Sequence, residues 1–341
     1  MNDALADPAL AYAVPAGHLL EKAGLGTLTA IHPISGGGNN RVFRLTTHTG
    51  HSVLLKAYFE SPGDPRNRFL HEQSFHRLAA ACDLNCVPQA LAWDEEHRLG
   101  LFEFIEGRKL APDEVDATHV SACAKFFQTL NAPGSAATLA SSLPPASEAC
   151  FSLEEHLHTV ERRVQRLLDA RSSGMLGEAS ELIAEELLPR WESVRASLLH
   201  QRQRESTLPQ AKRCASPSDF GFHNALWSPR GLVFFDFEYS GSDDPAKMAC
   251  DFFCQPEIPV PDNLLPLFLQ GTLLSSWSPQ DYSERVQALL PAYRIKWACI
   301  ILNVFVPLDA NRRRFADASL LSEEALNRQL QKARKQLAAT F

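Results

Sequence analysis

Apolar and polar positions follow a strand-like period over the first hundred residues. Arg41 to Thr47 alternates, with Val42, Phe43 and Leu45 apolar, and predicts a strand. Thr27 to Ile34 is β-leaning, and Ser52 to Phe59 reads as a further strand after a Thr49-Gly50 hairpin turn. Ser61-Pro62-Gly63-Asp64-Pro65 breaks the sheet. A helix is expected from Arg66 to Ala81 on the spacing of Phe69, Phe75, Leu78 and Ala79, followed by strands at Ala90 to Trp93 and Leu99 to Ile105. After Glu106-Gly107 the period becomes helical. Helices are expected over Thr118–Asn131, over Glu178–Gln203 and over Ser322–Leu337, with a surface loop at Ala132 to Ser147. Ser152-Leu153-Glu154-Glu155 is a capping-box signal, and Leu153, Leu157, Val160, Val164, Leu167 and Leu168 form the stripe behind it. A hairpin interrupts the helices: Asn224 to Trp227, a turn at Ser228–Gly231, then Leu232 to Phe237.

This order predicts an α+β chain in two lobes. The first, residues 1–106, is a small five-stranded antiparallel lobe with one helix, preceded by an extension over 1–25. The second, 107–341, is larger and mainly helical, and a cleft between lobes is a common place for a nucleotide. A length of 341 residues fits two lobes rather than one core. The net charge of -7, with no basic stripe, argues against a nucleic-acid partner and is compatible with a cationic or neutral substrate. Met1 to Leu20 lacks a basic n-region and does not read as a signal peptide. The longest apolar stretch, Ala298 to Leu308, is too short to span a bilayer and reads as a buried helix, so no membrane partner is expected. Eight scattered cysteines show no zinc spacing, and reduced thiols in a cytoplasmic protein are expected.

The candidate chemistry is phosphoryl transfer, which needs a grip on nucleotide phosphates, a base for the attacking hydroxyl, and oxygen ligands for magnesium. Ser218-Asp219-Phe220-Gly221-Phe222-His223-Asn224 has an aspartate followed five residues later by an asparagine, the spacing of a kinase catalytic loop. Alone that spacing is common, and a polar turn explains it equally well. The next element raises it: Leu232-Val233-Phe234-Phe235-Asp236-Phe237-Glu238 is an apolar strand ending in acid, where an unpaired carboxylate is costly. Asp236 is the expected main metal ligand. Glu238, on the same strand face by period two, either assists or makes a salt bridge.

This combination resembles the aminoglycoside phosphotransferase and choline kinase family, of protein-kinase-like fold, over roughly Ile31 to Phe253. The resemblance implies Asp219 as the catalytic base and Asn224 and Asp236 as Mg2+ ligands. It also implies a nucleotide loop at Ser35, Gly36, Gly37, Gly38, Asn39 and Asn40, where backbone N–H groups approach phosphate. Lys56, alone in the apolar run Val53-Leu54-Leu55-Lys56-Ala57, needs a phosphate and a carboxylate as partners, and Glu72 on the following helix is the expected carboxylate. Leu101 to Gly107 resembles the family's hinge, with backbone groups of Glu103, Phe104 and Ile105 holding the base of ATP or GTP. Gly241-Ser242-Asp243-Asp244-Pro245 and Asp251 match its downstream element, with Asp251 read as structural.

The chain departs from the family in placing Pro217 and Gly221 where histidines are common. This implies a divergent branch, and His223 reads as a packing or substrate-contact residue. Arg294, Lys296 and Trp297 either line an acceptor pocket or are a core tryptophan and surface cations; Arg312 to Arg314 could hold an anionic acceptor. The expected activity is a small-molecule kinase acting on a hydroxyl of a sugar or amino-sugar-like compound. The alternative is a catalytically weak or inactive nucleotide-binding module of the same fold. A protein kinase is disfavoured because no G-x-G-x-x-G loop precedes Lys56 and no A-P-E segment follows Asp236.

Overall fold

Strands β1 (Leu28–Pro33), β2 (Arg41–Thr47), β3 (Ser52–Ala57), β4 (Ala90–Asp94) and β5 (Leu99–Glu103) form an antiparallel sheet in the order β1-β2-β3-β5-β4. The structure is a computed structural model that describes residues 10–34, 40–60, 66–134, 137–172, 176–202, 207–306 and 322–339. The strand period explains how the sheet buries both faces. Val53, Leu55 and Ala57 of β3 join a core with Phe43, Leu45, Leu99 and Leu101. Helix α1 (Ala13–Lys22) closes that core with Ala16, Leu19 and Leu20. Residues 13–22 are therefore part of the sheet's core and not only an extension. Lys56 alternates to the opposite face, where helix α2 (Arg68–Ala81) lies and carries Glu72. The α2 N-terminus is set by Asn67, whose side chain accepts the Leu70 N–H at 3.1 Å.

The rest of the chain is mainly helical: α3 (Ala117–Leu130), α4 (Ala137–Ser141), α5 (Leu153–Ser172), α6 (Ala179–Leu182), α7 (Leu188–Arg202), α8 (Pro245–Cys254), α9 (Leu265–Gly271), α10 (Pro279–Leu302) and α11 (Glu323–Ala338). A wider turn at Ile183–Leu187 carries α6 into α7. The short α4 lies within the stretch expected to be a loop. The capping box of α5 is present: Glu155 N–H donates to Ser152 Oγ at 3.2 Å, and Ser152 N–H donates to Glu155 Oε2 at 3.1 Å. Helix α10 is long and apolar enough to cross a membrane by length and composition, but its most apolar stretch is 61% buried inside the protein. It packs against α5, α7, α8 and α11. Four short strands remain: β6 (Cys214–Ser216), β7 (Ala225–Ser228), β8 (Gly231–Phe234) and β9 (Gly241–Asp243). β7 and β8 form the expected hairpin. None of the eight cysteines is in a disulfide.

Two compact units result. One comprises 1–110, 129–147 and 217–242; the other comprises 111–128, 148–216 and 243–341. The division expected from the sequence, 1–106 and 107–341, differs in one respect that matters. Pro217–Ser242, with its hairpin and Asp219, Asn224 and Asp236, belongs to the same unit as the sheet. Backbone bonds explain this: Arg108 and Trp227 exchange both N–H···O bonds at 3.0 and 2.8 Å, and Phe234 N–H donates to Cys86 O at 2.8 Å.

Candidate active site

The site begins with a lysine that cannot be buried alone. Lys56 Nζ lies 2.6 Å from Glu72 Oε2 and 2.5 Å from Asp236 Oδ1, with Glu238 Oε2 at 3.9 Å. Burial pulls its ammonium down, but the carboxylates of Asp236, Glu72 and Glu238, in that order, outweigh it and hold the pKa above the ordinary lysine range. Lys56 is therefore charged at any physiological pH. The other Glu72 oxygen accepts the Phe237 N–H at 3.2 Å, so α2 fixes both the lysine and the backbone beyond Asp236.

Asp236 differs from the sequence expectation in its backbone. β8 ends at Phe234, and Asp236 adopts φ +68°. A non-glycine residue there is strained, and such strain concentrates where side-chain aim matters. The turn also breaks the period of two, so Glu238 does not share a strand face with Asp236, as the sequence had suggested. Glu238 is instead buried. It accepts a hydrogen bond from Asn40 Nδ2 and lies 3.7 Å from Arg68 Nε. That is the salt-bridge alternative, for a simple reason: the carboxylate is sealed among intramolecular partners.

The second cluster is the loop before β7. Ser218 has φ +65°, a second strained residue directly before Asp219. Asp219 Oδ1 lies 3.2 Å from His223 Nε2. The Asn224 amide nitrogen donates to Asp219 O at 3.0 Å, with Asp219 Oδ2 at 3.4 Å. His223 thus contacts the aspartate itself, not simply packing or substrate, and places an imidazole there although Pro217 and Gly221 supply none. Because the Asn224 NH2 is engaged by Asp219, its Oδ1 is the atom left to bind a cation. Asp219 and Asp236 keep side-chain exposures of 37% and 38%, unlike the sealed Glu72 and Glu238.

This donor set suits magnesium. That ion takes one or two protein oxygens and completes its shell with phosphate and water. Asn224 Oδ1 and the Asp236 carboxylate are two such oxygens. Among the described residues no cluster of three or more His, Cys, Asp or Glu forms an all-protein metal cage.

The remaining expected nucleotide contacts are placed unevenly. Ser35, Gly36, Gly37, Gly38 and Asn39 lie outside the described residues. Asn40, just after them, uses both ends of its amide: Nδ2 on Glu238, and Oδ1 accepting the Phe59 N–H at 3.1 Å. It ties the start of β2 to Glu238 and to the Phe59 backbone. At the hinge, Glu103 N–H donates to Gln89 O at 2.9 Å, and its carboxylate grips Arg230 with two 2.9 Å bonds. This N–H is therefore committed within the protein, and the expected base contacts fall to the Glu103 carbonyl and to Phe104 and Ile105, just past the end of β5. The Phe104 ring lies 4.6 Å from the Arg44 guanidinium.

Arg294, Lys296 and Trp297 belong to the other unit. Arg294 pairs with Asp262 at 2.7 Å; Lys296 and Trp297 Nε1 both donate to Asp251 at 2.8 Å. The two cations are buried and paired, not surface charges. Arg312 to Arg314 lie outside the described residues. The sequence reading missed Lys109 and also His156. Lys109 Nζ donates to His223 O, a contact across 114 positions that no local pattern signals. His156 had a visible signal, since it occupies the apolar stripe of α5 between Leu153 and Val160 and is fully buried.

The chain matches the sequence pattern of the phosphotransferase enzyme family over residues 30–272, well over half its length. A search of curated protein sequences finds no match. Among solved structures, a choline kinase from Streptococcus pneumoniae is 18% identical, with a TM-score of 0.55 over 94% of this chain and 98% of that one. An ethanolamine kinase from Plasmodium vivax is 13% identical, with a TM-score of 0.55 over 92% and 82%. A spectinomycin phosphotransferase is 11% identical, with a TM-score of 0.58 over 96% and 98%. At these identities the likeness establishes the fold, α+β and protein-kinase-like. Together with the match over residues 30–272, it places the chain plainly: it belongs to the phosphotransferase enzyme family.

Proposed function

We propose that this phosphotransferase moves the γ-phosphoryl group of ATP or GTP to a hydroxyl of a small polar molecule. The observation that carries the reading is the joining of Lys56 to both Glu72 and Asp236, with Asp219 and Asn224 on the same segment as Asp236. Asp219 accepts a hydrogen bond from the acceptor hydroxyl and takes its proton as the oxygen attacks phosphorus. A nucleoside diphosphate leaves. The Lys56 ammonium, held charged by its carboxylates, faces the nucleotide phosphates, and backbone groups at Glu103, Phe104 and Ile105 hold the base. Asn224 Oδ1 and the Asp236 carboxylate would hold magnesium, which when bound neutralises phosphate charge.

Residues 35–40 would cover the phosphates. The first unit, which includes the segment 217–242, carries nucleotide and chemistry. Choline, ethanolamine and spectinomycin, in the names of the solved relatives, put amine-bearing alcohols and amino sugars first as acceptors. A net charge of -7 suits such cations. Eight free thiols go with a reducing, cytoplasmic location.

The test is magnesium-dependent consumption of ATP and GTP against sugars, amino sugars, choline-like amines and aminoglycosides, with Asp219→Ala alongside. Turnover with one acceptor class, lost in the variant, is expected. Nucleotide binding without turnover on any acceptor would favour the inactive module instead.

A further inference from the structure

Lys109 lies outside every motif considered above, yet its ammonium ends inside the site. The residue follows Gly107, where a Cβ would meet Trp227 O at 2.8 Å and Leu226 Cβ at 3.1 Å. Only glycine allows the chain to pass this close to β7. The close passage is locked by the paired Arg108–Trp227 backbone bonds at 3.0 and 2.8 Å. From that fixed origin the Lys109 side chain crosses to the catalytic loop, and Nζ donates to His223 O. The ammonium lies 4.4 Å from the centre of the Phe235 ring. The residue counts as exposed overall, but its charged end is packed against Phe235 and the loop. That packing lowers its pKa to about 8, against the opposing pull of Asp236.

The carbonyl it grips is well chosen. His223 reaches Asp219 through its ring at 3.2 Å, and the next residue is Asn224, whose amide also holds Asp219. Phe235, under the ammonium, donates its N–H to Asn224 O at 3.0 Å and precedes Asp236. One cation therefore touches the two backbone segments that carry the proposed base and both proposed metal ligands.

We propose that Lys109 is a positioning residue for phosphoryl transfer, clamping the His223 carbonyl so that Asp219 and Asn224 hold their aim relative to Asp236. This rests on the kinase reading for its purpose, but its geometry can be tested without turnover. The loop needs such a clamp because strained Ser218 precedes Asp219 and extended Gly221 offers no side chain to brace it.

The experiment compares wild type, Lys109→Met and Lys109→Arg. Manganese(II) affinity is measured by calorimetry in the presence of a saturating non-hydrolysable ATP analogue, with turnover and thermal unfolding in parallel. Lys109→Met is expected to weaken manganese binding roughly tenfold, the scale for groups that orient metal ligands. It should lower kcat by about 10- to 100-fold with little change in the nucleotide KM. Lys109→Arg, which keeps the charge and the donors, should recover most of both. Manganese affinity unchanged in Lys109→Met overturns the proposal, even if wild type turns over no acceptor. So does an equal loss in both variants accompanied by a matching fall in Tm, which marks a merely structural residue. A wild type that binds manganese with the nucleotide but transfers nothing refutes the kinase reading alone; one that binds neither refutes both.

Discussion

Each unit of this molecule contains a cluster of lysine and carboxylate, and the two clusters are finished differently. In the helical unit, Lys247 lies 2.9 Å from Asp243 and 3.3 Å from Asp251, and Lys296 lies 2.8 Å from Asp251. Trp297 Nε1 adds a third donor to Asp251. Nearby, Asp244 caps α8 through the Ala246 N–H, accepts Arg285 at 2.6 Å and meets His156 at 3.1 Å. Side-chain exposure there is 0% for Asp243 and Asp244 and 7% for Asp251. In the sheet unit, Lys56 and Glu72 are as deeply buried, but Asp236 and Asp219 are more than a third exposed, and the backbone beside both is strained. Residue type does not separate them. What separates them is whether the carboxylate oxygens are all satisfied internally. A saturated cluster holds helices together, whereas a cluster with accessible oxygens on strained backbone fits the proposed ligand site.

That contrast is open to direct attack. The largest effect should come from Asp219→Ala, which is expected to cut phosphoryl transfer roughly a thousandfold or more while Tm moves little; a large loss of Tm would put Asp219 among the structural charges. The converse is Asp251→Ala, which leaves Lys296 and Lys247 short of a counter-charge. Denaturant unfolding should record a loss of about 3–5 kcal/mol, with turnover per folded molecule retained. If turnover falls at full stability, the helical cluster is not merely structural.

A pH series sharpens the comparison further. Burial opposes protonation of His156, but its bonds, that to Asp244 first, win and lift its pKa from 6.5 to about 9. A raised folded pKa means the contribution is complete below pH 6.5 and lost as pH rises through about 9. The size is about 3 kcal/mol. Unfolding at pH 6 and at pH 9.5 should show that drop, and His156→Gln should flatten it. The smallest effect is expected at the rim of the sheet unit. Arg230→Ala removes the pair with Glu103, where both side chains are well exposed, and should cost no more than about 1 kcal/mol, shrinking with salt.

Much of this was legible beforehand. The strand period put Lys56 alone among apolar neighbours, and an isolated buried lysine demands carboxylates; Glu72 on the next helix was the nearest with a suitable approach. Asp219, Asn224 and Asp236 were readable because short, fixed spacings along one segment decide which side chains can meet. Ser152 and Glu155 announced their helix because capping is local. Local pattern misleads where the backbone leaves its regular form and where a partner comes from far along the chain. Period two placed Glu238 beside Asp236 only if the strand continued, and the left-handed turn at Asp236 ended it. Arg294 and Lys296 looked like free cations because their partners, Asp262 and Asp251, are 32 and 45 positions away.

The sequence by itself determined the sheet strands, most of the long helices, the family resemblance and the identities of the proposed base and metal ligands, because period, caps and short motifs are properties of neighbouring residues. Only the tertiary structure decided which charges are sealed and which stay accessible, that the segment 217–242 joins the sheet's own unit, and that Lys109 reaches His223. Those outcomes depend on contacts between residues far apart in the chain, made by close passages such as that at Gly107, and no local pattern encodes them.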